Sequence, residues 1–251
     1  MLEVKNLSVR FGALTIVDDV SFSLAEHSWL MAVGPNGAGK TTLVNAISQG
    51  IPYEGTVLFE HADVSKMKPL RRAKSMGVLT QSHHMAYSFT VEEIVRLGRY
   101  AYAPKLFSVR TDEDEEMVEE ALRLTGMLGL RAQSVLTLSG GELQRAFLAQ
   151  VFAQNPKLLI LDEPTNNLDL VYQKQMFELI GEWVKKPGRA VISVVHDLAL
   201  ARSYGTHAML LNKGKLVACG EVGTVLTREN LSAVYAVDVY QWMKDMLSQW
   251  S

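Results

Sequence analysis

Nine consecutive residues, Gly34-Pro35-Asn36-Gly37-Ala38-Gly39-Lys40-Thr41-Thr42, combine types and spacing that suit a grip on a phosphate chain. Glycines let the backbone curl until several N–H groups point inward. The N-terminus of the helix that follows adds partial positive charge where phosphate oxygens would lie. Lys40 can reach the outer phosphates, and the Thr41 hydroxyl can ligate Mg²⁺. A second cluster is Lys157-Leu158-Leu159-Ile160-Leu161-Asp162-Glu163. Its apolar run reads as a fully buried parallel strand, which delivers two carboxylates at the C-terminal edge where α/β sites lie. Adjacent acids buried there for structure alone would be costly without a cation or donors. Asp162 suits indirect Mg²⁺ coordination, and Glu163 can orient and deprotonate a water attacking a terminal phosphate.

Other candidates are weaker when read alone. Ala190 to Val195 is another buried strand with His196 at its tip, and a lone histidine there reads as hydrogen-bonded structure. Leu138-Ser139-Gly140-Gly141-Glu142 opens a helix over Leu143 to Ala153. This is a second anion-ready helix start, although by itself an ordinary cap. Gln81 ends the strand Met76 to Gln81 and reads as a loop residue. Phe11 ends an early strand, as packing or as a ring face for a purine. The acidic run Asp112 to Glu116 reads as a solvated first helical turn rather than a cation site. His83-His84 has no Cys or carboxylate partner at ligand spacing and is assigned no metal.

The elements that must position these residues follow from patterning. Short β segments, Leu2–Val4, Leu7–Phe11, Val20–Leu24 and Trp29–Val33, with polar breaks such as Asp18-Asp19, predict an antiparallel meander before the phosphate loop. Leu43–Ile47 is predicted as helix, Gly55–Phe59 as strand, and Lys66–Lys74 as a basic surface helix or loop. Residues 82–156 change character. Thr90 to Arg99 opens with a capping box, and a second helix runs from Thr111-Asp112 through Leu124. The tail holds a hairpin turning at Asn212-Lys213-Gly214, short helices at Val222–Leu226 and Glu229–Tyr235, and an apolar stripe of Met243, Met246, Leu247 and Trp250 that reads as core or dimer packing.

Composition bounds the class. The chain has 251 residues, 48% of them hydrophobic, and a formal net charge of −2, enough for one large α/β domain and without the basic excess of a nucleic-acid surface. One cysteine, Cys219, excludes an internal disulfide framework and fits a reducing compartment. No apolar run approaches the ~18 residues needed to span a bilayer, and no basic-then-apolar leader opens the chain, so a soluble cytosolic protein is expected.

Taken in order, these motifs resemble the ATP-binding cassette (ABC) ATPase family over essentially the whole chain. Gly34 to Thr42 is similar to its Walker A motif, Gln81 to the Q-loop glutamine, and Leu138 to Glu142 to the signature. Asp162 and Glu163 are similar to the Walker B aspartate and catalytic glutamate, Asn167-Leu168-Asp169 to the D-loop, and His196 to the switch histidine. Phe11 stands where the family usually has an adenine-stacking Tyr.

The resemblance implies a single domain over residues 1–251 of α/β class. Its P-loop NTPase core would be a mostly parallel sheet flanked by helices, with an N-terminal antiparallel β subdomain and an inserted α-helical subdomain at about 82–156. It implies ATP and Mg²⁺ as ligands, with the metal held by Thr41, Gln81 and Asp162. It also implies a head-to-tail homodimer sandwiching ATP between Lys40 of one copy and Ser139 of the other. A symmetric pair would use both phosphate-ready helix starts of each chain.

Thr90 to Tyr100, with its Leu-Gly-Arg-Tyr run, and the tail Leu231 to Val239 resemble the importers of iron–siderophore, haem and cobalamin. That narrower likeness implies permease subunits, a periplasmic or lipoprotein substrate-binding protein, and attachment through the permease to the cytoplasmic face of the membrane. Importers of other substrates are the nearest alternative. A soluble non-transport ABC ATPase would need a long coiled-coil insertion or a second cassette.

Overall fold

The computed structural model describes residues 1–80, 87–102, 111–165 and 168–250. In chain order the elements are β1 (Leu2–Phe11), β2 (Leu14–Leu24), β3 (Trp29–Val33), α1 (Lys40–Ile47), β4 (Glu54–Phe59), β5 (Ala62–Asp63), α2 (Pro69–Ser75), β6 (Met76–Leu79), α3 (Val91–Leu97), α4 (Asp112–Leu124) and α5 (Gly140–Gln154). They continue with β7 (Leu158–Asp162), α6 (Leu170–Val184), β8 (Ala190–Val194), α7 (Leu198–Tyr204), β9 (His207–Asn212), β10 (Lys215–Glu221), α8 (Val222–Val225), α9 (Arg228–Tyr235) and α10 (Val239–Leu247). Two compact units result, one of Met1–Ser65 with Ile192–Ser251, the other of Lys66–Val191.

The first unit contains an antiparallel sheet of order β2-β1-β4-β5. The break expected at Asp18-Asp19, and the one between Val4 and Leu7, are instead irregularities inside two long strands, whereas Ala25-Glu26-His27 does separate β2 from β3. Asn6 and Asp19 adopt φ of 50° and 54°, and the β1–β2 register shifts around them. Serine side chains accept the backbone amides left over at such bulges, the Asn6 amide donating to Ser21 Oγ at 2.8 Å. Asn6 Nδ2 donates to Asp19 Oδ1 at 2.8 Å, and the Asp19 amide donates to Ser8 Oγ at 2.9 Å.

A second correction concerns Trp29–Val33. It does not belong to the antiparallel meander but runs parallel to β9, in the order β10-β9-β3-β8. All five of its residues are buried, as a strand covered on both faces requires. Trp29 places its indole N–H on Ser193 Oγ of β8 at 2.8 Å, so this buried donor is satisfied. The hairpin β9–β10 turns at Lys213 and Gly214, with φ of 47° and 80°, as a two-residue turn between right-twisted strands demands.

In the second unit β6 and β7 pair in parallel, and α3, α4 and α5 pack together. Thr90, Thr111 and Ser139 each head a helix with a reciprocal capping box, to Glu93, Asp114 and Glu142. The acidic first turn of α4 is less solvated than its sequence suggests. Asp114 accepts from Arg99 Nε at 2.7 Å, and Glu115 pairs with Arg96. Arg99 is only 7% exposed; its guanidinium lies 3.7 Å from the Tyr102 ring centroid and donates to the Ala153 carbonyl at 3.1 Å.

In the tail stripe of the first unit Met246 and Leu247 of α10 are exposed, so they are not core, whereas Met243 is half-buried; the side chain of Trp250 lies outside the described residues. No helix among the described residues is long and apolar enough to cross a membrane.

Candidate functional site

The first unit presents the phosphate loop. β3 ends at Val33, residues 34–39 turn, and α1 begins at Lys40 with Gly39 as its N-cap at φ 94°. The helix thus starts three residues before its apolar periodicity does. A side chain at Gly39 would be strained by that φ and would meet the Ile16 carbonyl oxygen at 2.7 Å. Asn36 and Gly37, at the outer turn, are exposed, whereas Ala38, Gly39 and Lys40 are buried.

Lys40 is 5% exposed and folds back over its own loop, donating to the Gly34 carbonyl at 2.8 Å and the Pro35 carbonyl at 3.0 Å. A buried ammonium needs such acceptors, and phosphate oxygens are the acceptors that would replace them. The loop's outer wall comes from the β9–β10 turn: the Gly214 amide donates to the Ala38 carbonyl at 3.2 Å, and the Gly214 carbonyl accepts from the Asp18 amide at 2.8 Å. Sequence reading saw Asn212-Lys213-Gly214 only as a turn and missed this support, for which no local signal exists.

Two further candidates lie in the same unit. The Val195 amide donates to the Ala32 carbonyl at 3.2 Å, which places His196 in the residues just beyond β3's neighbour, on the edge where the phosphate loop leaves its strand. His196 is exposed, and Asp197 after it caps α7, accepting from the amides of Ala199 and Leu200. Phe11 is 54% exposed at the tip of the β1–β2 hairpin, paired with Leu14, so the packing reading of this aromatic does not hold.

The second unit holds the remaining candidates. Asp162 ends β7 and is 5% exposed. Glu163 follows outside the strand at φ 51°, a left-handed conformation that costs a residue with a Cβ about 1–2 kcal/mol. Such strain persists only where the surroundings over-determine it, and it concentrates at functional sites.

Ser139 is exposed at the head of α5. Its hydroxyl accepts from the Glu142 amide at 3.3 Å, while the Glu142 carboxylate accepts from the Ser139 amide and hydroxyl at 2.8 Å each. The backbone donor of Ser139 holds the Glu142 carboxyl below its ordinary range. Gly140 has open space around it, and Gly141 abuts the Tyr172 ring. Gln144 of α5 donates to the Pro164 carbonyl at 3.0 Å, tying this helix to the turn after Glu163. Asp169 caps α6, accepting from the Tyr172 amide at 3.0 Å. Gln81, His83, His84 and Asn167 lie outside the described residues.

A protein-family model described as ABC transporter matches residues 17–166, more than half of the chain. The chain belongs to the ABC transporter family. Among its relatives, an uncharacterized ABC transporter ATP-binding protein, YvrA of Bacillus subtilis, is 37% identical over 239 residues; the match takes in 95% of this chain and 54% of that protein. The chain therefore spans about half of that relative's length. The ferric enterobactin transport ATP-binding protein FepC of Escherichia coli is 35% identical over 237 residues, covering 94% of this chain and 87% of FepC. The hemin import ATP-binding protein HmuV of Streptomyces coelicolor is 40% identical over 230 residues, covering 91% and 81%. Among solved structures, a chain of a transporter described as of metal-chelate type, in an inward-facing conformation, superposes with TM-score 0.82 at 26% identity, covering 94% of this chain and 89% of that one. The fold is the α/β ABC ATPase cassette with its antiparallel β sheet.

Proposed function

We propose that this ABC protein is the ATP-hydrolysing subunit of an importer for a metal chelate of the iron–siderophore, haem or cobalamin kind. The observation that carries the reading is the phosphate loop itself, with Lys40 buried and held on carbonyls that phosphate can replace. The identity to FepC and HmuV supports the substrate class. In this reading Gly34, Pro35, Asn36, Gly37, Ala38, Gly39, Lys40, Thr41 and Thr42 cradle the phosphates, and Phe11 offers its exposed ring to the adenine.

The Thr41 hydroxyl, the Asp162 carboxylate and the Gln81 amide oxygen are the hard donors that Mg²⁺ takes, and Mg²⁺ supplies charge neutralisation between the outer phosphates. Glu163, held in its strained conformation, orients and deprotonates the attacking water. His196 contacts the terminal phosphate.

Two copies close head to tail, with Ser139, Gly140, Gly141, Glu142 and Asp169 of one facing the nucleotide of the other. ATP shifts the population toward the closed pair, and hydrolysis releases it. The helical subdomain at about 82–156 receives the permease. Tyr87 and Tyr100, 73% and 72% exposed, and the exposed Leu97 between them in sequence, offer apolar surface for a permease helix. The protein would then sit at the cytoplasmic face of the membrane through that permease and meet a substrate-binding protein only indirectly.

The test is Glu163→Gln. ATP binding persists, an ATP-dependent dimer accumulates on size exclusion, and turnover falls about 10²–10⁴-fold, the usual contribution of a general base. Wild-type turnover in this variant refutes the assignment of Glu163. A permease that fails to co-purify from membranes refutes the transport reading.

A further inference from the structure

The head of α5 and the turn into α6 are tied together by one aromatic ring to which no motif gives a role. Gly141 is buried in the first turn of α5, and a Cβ there would lie 2.9 Å from Tyr172 Cδ2, 3.1 Å from Cγ and 3.3 Å from Cε2. The ring of this α6 residue thus fills the space that a side chain at 141 would need. At the neighbouring Gly140 a Cβ would meet nothing within 4 Å. The first turn of α5 is therefore backed by the ring at one glycine and open at the other.

Arg145 lies one turn further along α5, on the same face as Gly141. Its guanidinium carbon stands 4.7 Å from the Tyr172 ring centroid, and Nη1 donates to Gln175 Oε1 of α6 at 3.3 Å. Arg145 Nε is buried without a hydrogen-bond partner among the described residues, and the electron-rich ring face is the compensation it has. Tyr172 is fixed from its own side as well. Its amide donates to Asp169 Oδ1 at 3.0 Å, and Gln173 after it donates through Nε2 to the Leu168 carbonyl at 3.1 Å. One side chain is wedged between positions 141 and 145 of α5 while its backbone anchors the Asp169 carboxylate.

We propose that Tyr172 is a positioning residue for closure of the ATP-bound pair: its ring locks the first turn of α5 to the first turn of α6, so that Ser139, Gly140, Gly141, Glu142 and Asp169 meet the nucleotide of the other copy as one block. It touches neither the nucleotide nor a reacting atom. Ordering the two segments before association spares the pair that cost when ATP brings the copies together. This rests on the head-to-tail reading above, and the experiment separates the two.

In the full-length chain carrying Glu163→Gln, dimer formation at saturating ATP is followed by sedimentation velocity as the protein concentration is varied. Tyr172→Leu keeps apolar bulk and helix propensity but removes the ring face. The concentration at the dimer midpoint rises about tenfold, because a pair contains the wedge twice and about threefold is lost at each. Tyr172→Phe restores the ring and brings the midpoint back to within about twofold of the parent. Binding of a fluorescent ATP analogue to dilute, single-chained protein stays within about twofold in both variants, since the phosphate loop belongs to the other compact unit. An unchanged midpoint in Tyr172→Leu overturns the proposal, and so does a Tyr172→Phe variant as weak as Tyr172→Leu. Loss of analogue binding in Tyr172→Leu overturns it too, since general unfolding would then explain the weaker pair. If Glu163→Gln with Tyr172 intact stays single-chained in ATP, the head-to-tail reading itself falls, and the wedge with it.

Discussion

Gly98→Ala opposes two effects of known size. Gly98 closes α3 at φ −58°, a conformation any residue adopts, so backbone entropy alone predicts that alanine stabilises by about 0.4–1 kcal/mol. Space predicts the reverse. A Cβ built on Gly98 would lie 3.0 Å from the Gln154 amide nitrogen, 3.1 Å from the Gln150 carbonyl carbon and closer still to the Gln150 oxygen. All three atoms belong to the backbone of α5, so no side chain can swing aside and α3 must lift off α5. Overpacking of this kind costs about 1–3 kcal/mol, and a rigid wall puts the cost at the upper end.

The net is a destabilisation of about 2 kcal/mol, or a midpoint about 4–8 °C lower in thermal unfolding of a chain this size. Differential scanning fluorimetry of nucleotide-free protein measures it. The wild-type and variant should share their ATP affinity, because α1 and its loop lie in the other unit. A midpoint equal to or above wild type would show that α3 has room beside α5 for a methyl group and that no clash opposes the entropic gain.

Other predictions concern single groups. Lys40→Ala should lose ATP binding by at least about 10²-fold, since it deletes a charged partner of the phosphates worth about 3 kcal/mol; equilibrium binding tests it. Asp114→Ala removes both the partner of the buried Arg99 and half of the α4 capping box, and should cost about 3–5 kcal/mol by urea denaturation. An Arg99→Met/Asp114→Ala double variant should recover part of that loss, and an additive loss would refute the pairing. Arg131 and Arg96 hold Glu92 at a pKa of about 2, against an ordinary 4.5. Because the folded value is the lower one, the pair's contribution is complete above about 4.5 and is lost as pH falls toward 2. Glu92→Gln should therefore flatten stability against pH within that acid window and leave it unchanged in shape near neutrality.

Much of the cassette could be read from residue order because its signals are local. Gly34 to Thr42 carries its turn, its charge and its helix start in one stretch, and Thr90, Thr111 and Ser139 announce their helices three residues ahead through Glu93, Asp114 and Glu142. Long-range pairing left no such trace. Trp29–Val33 has the same short apolar look as its neighbours, and only its burial on both faces assigns it to the parallel ladder beside β9. The bulges at Asn6 and Asp19 mimic strand ends, because polar residues that break a ladder and polar residues that repair one look alike. Leu198–Tyr204 forms a helix because Asp197 caps it, a signal hidden beneath the attention drawn by His196. The support that Gly214 gives the phosphate loop could not be found at all, since it acts on Ala38 and Asp18, far upstream in the chain.

The clasp of Gly214 on Ala38 and Asp18 bears on how the chain matures at the ribosome. A nascent polypeptide halted shortly after residue 200 has synthesised every amide of its nucleotide cradle, yet still lacks the hairpin that walls it. Nucleotide affinity should consequently emerge late and abruptly, once β10 has cleared the exit tunnel, so that truncated products of translation stay inert toward ATP.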